Sequence, residues 1–164
     1  MNKRGQIIGQ VFIYIMAAIV IGAIILLGYW AVKNITEKSC QVEQVTFKSK
    51  IESLASKHSS YGSVSKETII APCNYETICF VDAGRIGNTT GLPNCYNKII
   101  NASVVDSDLK NIFLVTAKTT VPIGYSEYIS VDDPYNCTCI KQVNKNFFIT
   151  FKGYNFRTVL SSTT

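Results

Sequence analysis

Hydrophobic and polar positions divide this chain into three stretches, of which the first is the most distinctive. Residues 5–32 form an unbroken run without a charged side chain, directly behind Lys3 and Arg4. At about 1.5 Å of rise per residue, a helix of this length exceeds the roughly 20 residues that span a bilayer. The run therefore predicts a helix that lies in a membrane or in an equally apolar environment.

The second stretch continues this helix to about Ser56, because no Pro or Gly interrupts it and its apolar residues recur at helical spacing. Val42 and Val45 project to the side opposite the main apolar stripe, where a partner helix could pack. A single buried helix with one broad apolar face is the alternative. The main stripe, which is predicted to cover a sheet, consists of Phe47, Ile51, Leu54 and Ala55.

The third stretch follows a turn-like segment at residues 59–62 and is a series of short runs rich in β-branched and aromatic residues. Pro and Gly residues between the runs favour an antiparallel sandwich or rolled sheet over parallel β/α units. Residues 153–155 are predicted to turn a C-terminal hairpin. The predicted strands are residues 68–70, 78–81, 99–105, 112–116, 119–123, 128–131, 140–143, 147–152 and 156–160.

The fold class that these patterns predict is α+β, with a long N-terminal hydrophobic helix followed by an antiparallel β-sandwich-like head domain. The chain after the apolar run, residues 33–164, is long enough for one domain with its own core. The expected segments are a leader at residues 1–5, a helix at 6–58 that is apolar over 6–32, and a β-rich extracellular domain at 59–164.

Charge changes this picture little. The formal net charge is +5, and because Lys3 and Arg4 precede the apolar run, the remainder carries about +3 with its lysines scattered. A dedicated nucleic-acid binder would cluster its basic residues on one face, so no nucleic-acid partner is expected.

Six cysteines follow the apolar run, an even number that predicts a disulfide framework in an oxidising compartment. Structural zinc is the rival interpretation, but zinc sites favour Cys-x-x-Cys pairs, and the close pair here is Cys-Thr-Cys. On a strand, the two cysteines of that pair would point to one face and bond to different partners. The candidates are Cys40, Cys73, Cys79, Cys95, Cys137 and Cys139, whose connectivity the sequence leaves open.

Four Asn-x-Ser/Thr sequons are candidates for glycosylation, at Asn34, Asn88, Asn101 and Asn136. Charge alone is ambiguous about topology, since basic residues flank both ends of the apolar run. Disulfide pairing and glycosylation both require the large domain outside the cell, so an internal N-terminus and an external head are expected.

The start of the apolar run is more specific than a generic anchor. A secretory signal has a shorter apolar core and a small-x-small cleavage site behind it. The string Arg4-Gly5-Gln6-Ile7 instead resembles the class III signal of archaeal type IV pilins and archaellins. Bacterial pilins place a Glu fifth in the mature chain, where this chain has Gln10, so the resemblance is to archaeal members.

The resemblance implies cleavage by a prepilin-type peptidase after Gly5, which leaves Gln6 as the mature N-terminus. It also implies a subunit that is stored in the membrane and then polymerises with copies of itself through the N-terminal helix, giving an extracellular filament. Adhesion is the expected role of such a filament. In the membrane and in the filament alike, the helix satisfies its own backbone hydrogen bonds.

Few residues suggest chemistry. The single histidine, His58, lies at the predicted helix end, where a cation stabilises exposed carbonyls. Two acidic segments, at residues 106–111 and 132–133, lack the converging oxygens of a calcium loop. No phosphate-binding loop or haem-attachment motif occurs. No catalytic residue, metal or cofactor is therefore expected, and the chain is not expected to be an enzyme.

Two classes of function fit the sequence. The first is a structural subunit of a type IV pilus-like filament. The second is an unpolymerised single-pass membrane protein with a disulfide-bonded extracellular β domain that binds a ligand, a class that includes viral membrane coat proteins.

Overall fold

The computed structural model describes residues 4–87, 97–106, 109–132 and 137–163, without the side chains of residues 4–10 and 37. The chain divides into two compact units, Met1–Gln41 and Val42–Thr164. The boundary falls inside the first helix, because the last turns of that helix belong to the core of the second unit.

Helix α1 spans Arg4–Lys57, a length of 54 residues, so the predicted long N-terminal helix is confirmed. It ends where the backbone N–H of His58 donates to the carbonyl of Leu54 at 3.0 Å and the chain turns away. Gly62 then adopts a φ of 81°, which a residue without a Cβ tolerates.

Eight strands form two four-stranded sheets in the described part of the second unit. Sheet 1 has the order β1-β7-β8-β5 and sheet 2 the order β4-β3-β2-β6. The pairings between these strands are antiparallel, except that β5 and β8 pair in parallel. The strands are β1 (Val64–Ile70), β2 (Thr77–Val81), β3 (Ile112–Val115), β4 (Thr120–Gly124), β5 (Ile129–Val131), β6 (Cys137–Lys141), β7 (Asn146–Tyr154) and β8 (Arg157–Ser162).

The main core lies where the inner faces of both sheets meet the C-terminal turns of α1. Strand β7 alternates strictly, with buried Phe147, Ile149 and Phe151 separated by residues that point outward. Phe47 of α1 meets Phe147 edge to face, with ring centroids 5.8 Å apart. The predicted helix stripe is thus confirmed: Phe47, Ile51 and Ala55 are buried against the sheets, and Leu54 packs beside them. The α+β fold class is confirmed with it.

One predicted strand is wrong. Residues 99–105 belong to helix α2 (Lys98–Val105), although they are rich in the β-branched residues that favour strands. Asn97 caps this helix by accepting a hydrogen bond from the N–H of Ile99 at 3.0 Å. Ile100 and Val104, four residues apart, are buried against the outer face of sheet 2 beside Phe113. The helical spacing of these two side chains decides the conformation.

The C-terminal hairpin forms as predicted, but its turn lies slightly later in the chain. Gly153 is inside β7, and the two-residue loop is Asn155-Phe156, with φ values of 48° and 63°. Tyr154 and Arg157 pair across the ends of the two strands. Positive φ at both loop residues is the geometry that matches the twist of a tight hairpin.

Cys79 and Cys139 form a disulfide between neighbouring strands of sheet 2 and are separated by 60 residues of chain. They face each other directly in the register of β2 and β6. Cys137 lies two residues before Cys139 on the same strand and is also disulfide-bonded, so the two cysteines of the Cys-Thr-Cys pair have different partners. Cys40 and Cys73 are disulfide-bonded as well, whereas Cys95 lies outside the described residues.

The loop behind α1 crosses β7 at Gly153 in close contact. The N–H of Gly153 donates to the carbonyl of Ser63 at 2.7 Å, and the N–H of Gly62 donates to the carbonyl of Gly153 at 3.2 Å. A Cβ at position 153 would lie 1.9 Å from the carbonyl oxygen of Ser60 and 2.5 Å from that of His58. Both obstacles are backbone atoms, so a larger residue would push the loop off the strand.

We expect Gly153→Ala to destabilise the second unit by at least about 2 kcal/mol, because the added methyl group overlaps backbone that cannot move alone. Chemical unfolding of the full chain in detergent, followed by near-ultraviolet circular dichroism, measures this. Gly22→Ala is the matched control, since no atom lies within 4 Å of a Cβ at that position. Equal unfolding midpoints for the two variants would contradict the close contact.

Replacing both Cys79 and Cys139 by alanine is expected to cost the head about 2–4 kcal/mol, because a cross-link between residues 60 apart in the chain restricts the unfolded state. The same unfolding measurement reports the loss. The helical circular dichroism signal should persist, since α1 contains neither cysteine. A double variant as stable as the unmodified chain would show that this disulfide contributes nothing to folding.

Candidate membrane and assembly surface

Helix α1 presents an apolar surface on all sides over residues 11–32. Every described side chain in this stretch is uncharged, and all of these residues are exposed except the partly exposed Gly22. Exposed fractions reach 73% at Tyr14 and Tyr29 and 72% at Leu26. A helix that is hydrophobic all round requires an apolar environment on every side.

The free energy of removing this surface from water is large compared with the stability of a domain. Sixteen large hydrophobic side chains between Val11 and Val32 are exposed. At about 1.5–3 kcal/mol for each side chain fully removed from water, burying all of them contributes on the order of 20–50 kcal/mol. A folded domain is stable by about 5–15 kcal/mol. Lipid or protein must therefore cover this surface in the functional state.

The length of this surface matches a bilayer. Residues 11–32 rise about 33 Å, close to the roughly 30 Å of the hydrocarbon layer. Among the described residues, one helix is long and apolar enough to cross a membrane, and it is this one. Tyr29 and Trp30 lie near the end of the apolar segment, and in membrane-spanning helices aromatic side chains favour this position at the lipid–water boundary.

Small residues interrupt the bulky side chains of the same helix. Ala18 and Gly22 are four residues apart, and no atom lies within 4 Å of a Cβ built at Gly22 or Gly28. Such positions allow another helix backbone to approach closely. The surface thus has the shape that helix packing requires as well as the hydrophobicity that lipid requires.

A smaller apolar surface lies in the second unit. Val42 and Val45 are 65% and 64% exposed, on the side of α1 opposite the buried Phe47 stripe. Beside Val42, a groove of about 320 Å³ opens between α1 and the end of β1, with Ile69 and Ile70 in its wall.

The same groove has a polar contact in its wall. The carboxylate of Glu43 accepts a hydrogen bond from the N–H of Cys73 at 2.7 Å, which ties the segment after β1 to the helix. The sequence did not predict this groove, because its walls come from two different elements, α1 and β1. No local pattern in the sequence shows how these two elements pack.

The predicted processing site lies in α1. Gly5 and Gln6 are within the helix Arg4–Lys57, in the stretch of it for which the structure describes the backbone alone. Cleavage after Gly5 therefore stays a prediction.

Two of the four sequons lie in helices. Asn34 is in α1, and the hydroxyl of Thr36 in its sequon donates to the carbonyl of Val32 at 2.9 Å. Asn101 is in α2, where its side-chain oxygen is buried. Asn88 and Asn136 lie outside the described residues. Glycosylation stays a prediction at all four positions.

The single histidine has a structural contact that differs from the predicted one. Nδ1 of His58 lies 2.7 Å from the hydroxyl of Ser63, and its ring lies against Phe151 with centroids 6.2 Å apart. The side chain therefore stabilises the loop that leaves α1 instead of capping the helix carbonyls.

Of the acidic and amide groups singled out in the sequence, Asn111 serves the fold. Asn111 is fully buried and exchanges two hydrogen bonds with the backbone of Ser126, at 2.8 and 2.9 Å. Within residues 4–87, 97–106, 109–132 and 137–163, no three His, Cys, Asp or Glu side chains converge as a metal site would require. Asp108 and Asp133 lie outside those ranges.

Asp82, which the sequence did not single out, joins the two sheets. It follows β2 of sheet 2, and its carboxylate accepts hydrogen bonds from the N–H of Gly84 at 2.8 Å and from the hydroxyl of Ser130 in β5 at 2.6 Å. Arg157 of β8 lies 3.5 Å from the same carboxylate. The carboxylate is thus committed to structural contacts.

Comparison with family models, with curated proteins and with solved structures found no match for this chain. The architecture itself, one long apolar N-terminal helix followed by β-sheets, is compatible with that of a pilin.

Proposed function

We propose that this chain is the structural subunit of an archaeal type IV pilus-like filament, which is stored in the membrane through α1 and polymerises through the same helix. The apolar surface of residues 11–32 supports both states, because lipid and the helices of neighbouring copies are equally dry environments. The head then lies on the outside of the filament and makes adhesive contacts.

The observation that carries the polymeric state is the exposure of Val42 and Val45. A membrane anchor needs about 20 apolar residues, and residues 11–32 supply them. Val42 and Val45 follow Lys33 and Lys38, beyond that length, and would face water in an isolated anchored chain. In a filament, these two side chains and the groove beside them face a neighbouring subunit.

The proposal assigns Gly5 and Gln6 to processing by a prepilin-type peptidase. Removal of the leader takes Lys3 and Arg4 from the end of the helix, so the mature α1 carries only the α-ammonium group of Gln6 ahead of its apolar segment. Such an end can leave the bilayer and enter a filament core without carrying two charges into it.

The processing step is tested by mass spectrometry of the N-terminus together with electron microscopy of producing cells. We expect surface filaments whose subunits begin at Gln6. Gly5→Leu should block cleavage and reduce the amount of filament at least about tenfold, leaving the chain in the membrane fraction. Gly9→Ala is the control that changes another glycine of the same segment. Abundant surface chains that keep Met1, without filaments, would instead indicate a monomeric anchored protein.

The subunit contact is tested by the double substitution Val42→Lys and Val45→Lys. Placing two charges in a packed interface costs several kcal/mol, so we expect filament yield to fall at least about tenfold. The unfolding midpoint of the head should stay within error, since both side chains are exposed. Leu109→Lys, at a position that is 64% exposed outside this surface, is the matched control. Normal filaments from the double variant would remove Val42 and Val45 from the interface.

A further inference from the structure

An exposed aromatic patch lies where the loop behind α1 meets the β7–β8 hairpin. Its members are Tyr61, Tyr154 and Phe156, which are 78%, 55% and 87% exposed. The rings of Tyr61 and Tyr154 are tilted by 43° with centroids 6.0 Å apart, and Phe156 follows two residues later in the hairpin loop. We propose that this aromatic patch binds a neutral pyranose oligosaccharide by stacking.

The backbone beneath the patch is fixed before any ligand arrives. Two hydrogen bonds join the loop to β7, between Gly62 and Gly153 and between Gly153 and Ser63. The lack of space for a Cβ at Gly153 holds the loop directly on the strand. Tyr61 and Tyr154 are thus carried by two segments that are tied together beside them, which lowers the entropy cost of binding.

Phe156 is difficult to explain by the fold alone. Its φ of 63° is unfavourable for a bulky residue, and a tight hairpin loop normally has Gly there. Exposure of 87% means that the phenyl ring gains almost no burial in return. Another two-residue loop of the head, Asn144-Lys145, has similar φ values of 51° and 61° but places a solvated lysine at the second position. An aromatic ring at the strained, exposed position points to a ligand.

The size of the patch favours a small ligand over a second protein. Aromatic side chains bury about 150–250 Å² each, so the exposed parts of these three offer roughly 330–550 Å². A stable protein interface needs about 800 Å² from each partner. A few sugar rings match the smaller area.

Chemistry selects the class of ligand. A pyranose ring has an apolar face of C–H groups that stacks on an aromatic ring, and hydroxyl groups at its edge that can bond to the phenols of Tyr61 and Tyr154. Arg157, the cation next to Phe156 in the chain, is already paired with Asp82 at 3.5 Å. Lys152 is exposed on β7, but stacking does not depend on it. A neutral sugar therefore fits the patch better than an acidic one.

This inference rests on the adhesive part of the proposed function and not on polymerisation. It is tested with the full chain in detergent micelles, where filaments are absent, by titration with cellohexaose, chitohexaose and maltohexaose while tyrosine fluorescence is followed. We expect saturable binding of at least one hexasaccharide, unchanged when salt is raised to about 0.5 M, because stacking is not screened. No binding of any of the three overturns the proposal, and so does binding that salt abolishes. Either result leaves filament assembly standing.

Variants separate the ligand contact from the fold. Tyr154→Ala and Phe156→Gly are each expected to weaken binding about tenfold, whereas Tyr61→Phe, which keeps its ring, should lose at most about threefold. Phe156→Gly should at the same time raise the unfolding midpoint by about 2–6 °C, because glycine relieves the positive φ. Leu109→Ala is the control for an exposed apolar residue elsewhere.

The combined results for these variants distinguish a ligand site from a structural role and from a contact between copies. Weaker binding together with greater stability in Phe156→Gly supports a ligand site, since a purely structural residue cannot give both. Unchanged sugar affinity in Tyr154→Ala and Phe156→Gly overturns the proposal. Loss of filaments with intact sugar binding in those variants overturns it too, and would assign the patch to a contact between copies.

Discussion

The exposed helix surface of residues 11–32 is the constraint on which the rest of the structure depends. Exposing sixteen large hydrophobic side chains to water costs more free energy than the folding of the head could offset. The head therefore has to be stable without a contribution from this helix surface. Its stability comes from the core between its two sheets and from its disulfides. Those disulfides match a domain that folds in an oxidising space while its N-terminal helix remains in an apolar one.

Helix α1 shows how one element can satisfy two environments. Over residues 11–32 it has no polar side, as lipid or a helical bundle requires. From residue 42 onward its two sides differ: Phe47 and Ile51 on one side are buried, and Val42 on the opposite side is exposed. The change needs no break in the backbone, because helical hydrogen bonds are independent of what the side chains face. One continuous helix thus carries both patterns.

Much of this fold could be predicted from local patterns. The long uncharged run, the i, i+4, i+8 stripe at Phe47, Ile51 and Ala55, and the alternating strands each have a period that the sequence displays directly. Helix α2 was missed because its β-branched residues outweighed the four-residue spacing of Ile100 and Val104.

Contacts between distant segments could not be predicted in this way. The partner of Cys139 depends on the register of β2 against β6, and the chain forms β3, β4 and β5 before it returns to pair with β2. The groove and the aromatic patch were missed for the same reason, since each is formed by segments that no local period relates.

The two kinds of surface make different demands on sequence. Burial of the apolar helix is proportional to area and has no direction, so many apolar residues could replace one another along residues 11–32 without changing the environment that it needs. The hairpin and its neighbouring loop depend instead on single positions, because a Cβ at Gly153 would lie 1.9 Å from backbone and Phe156 holds an unfavourable φ. A chain of this design can exchange its bulky apolar residues where lipid covers them, whereas close packing of helices would need the small residues at Ala18 and Gly22. Its binding specificity would lie in the head, where individual residues determine what the surface contacts.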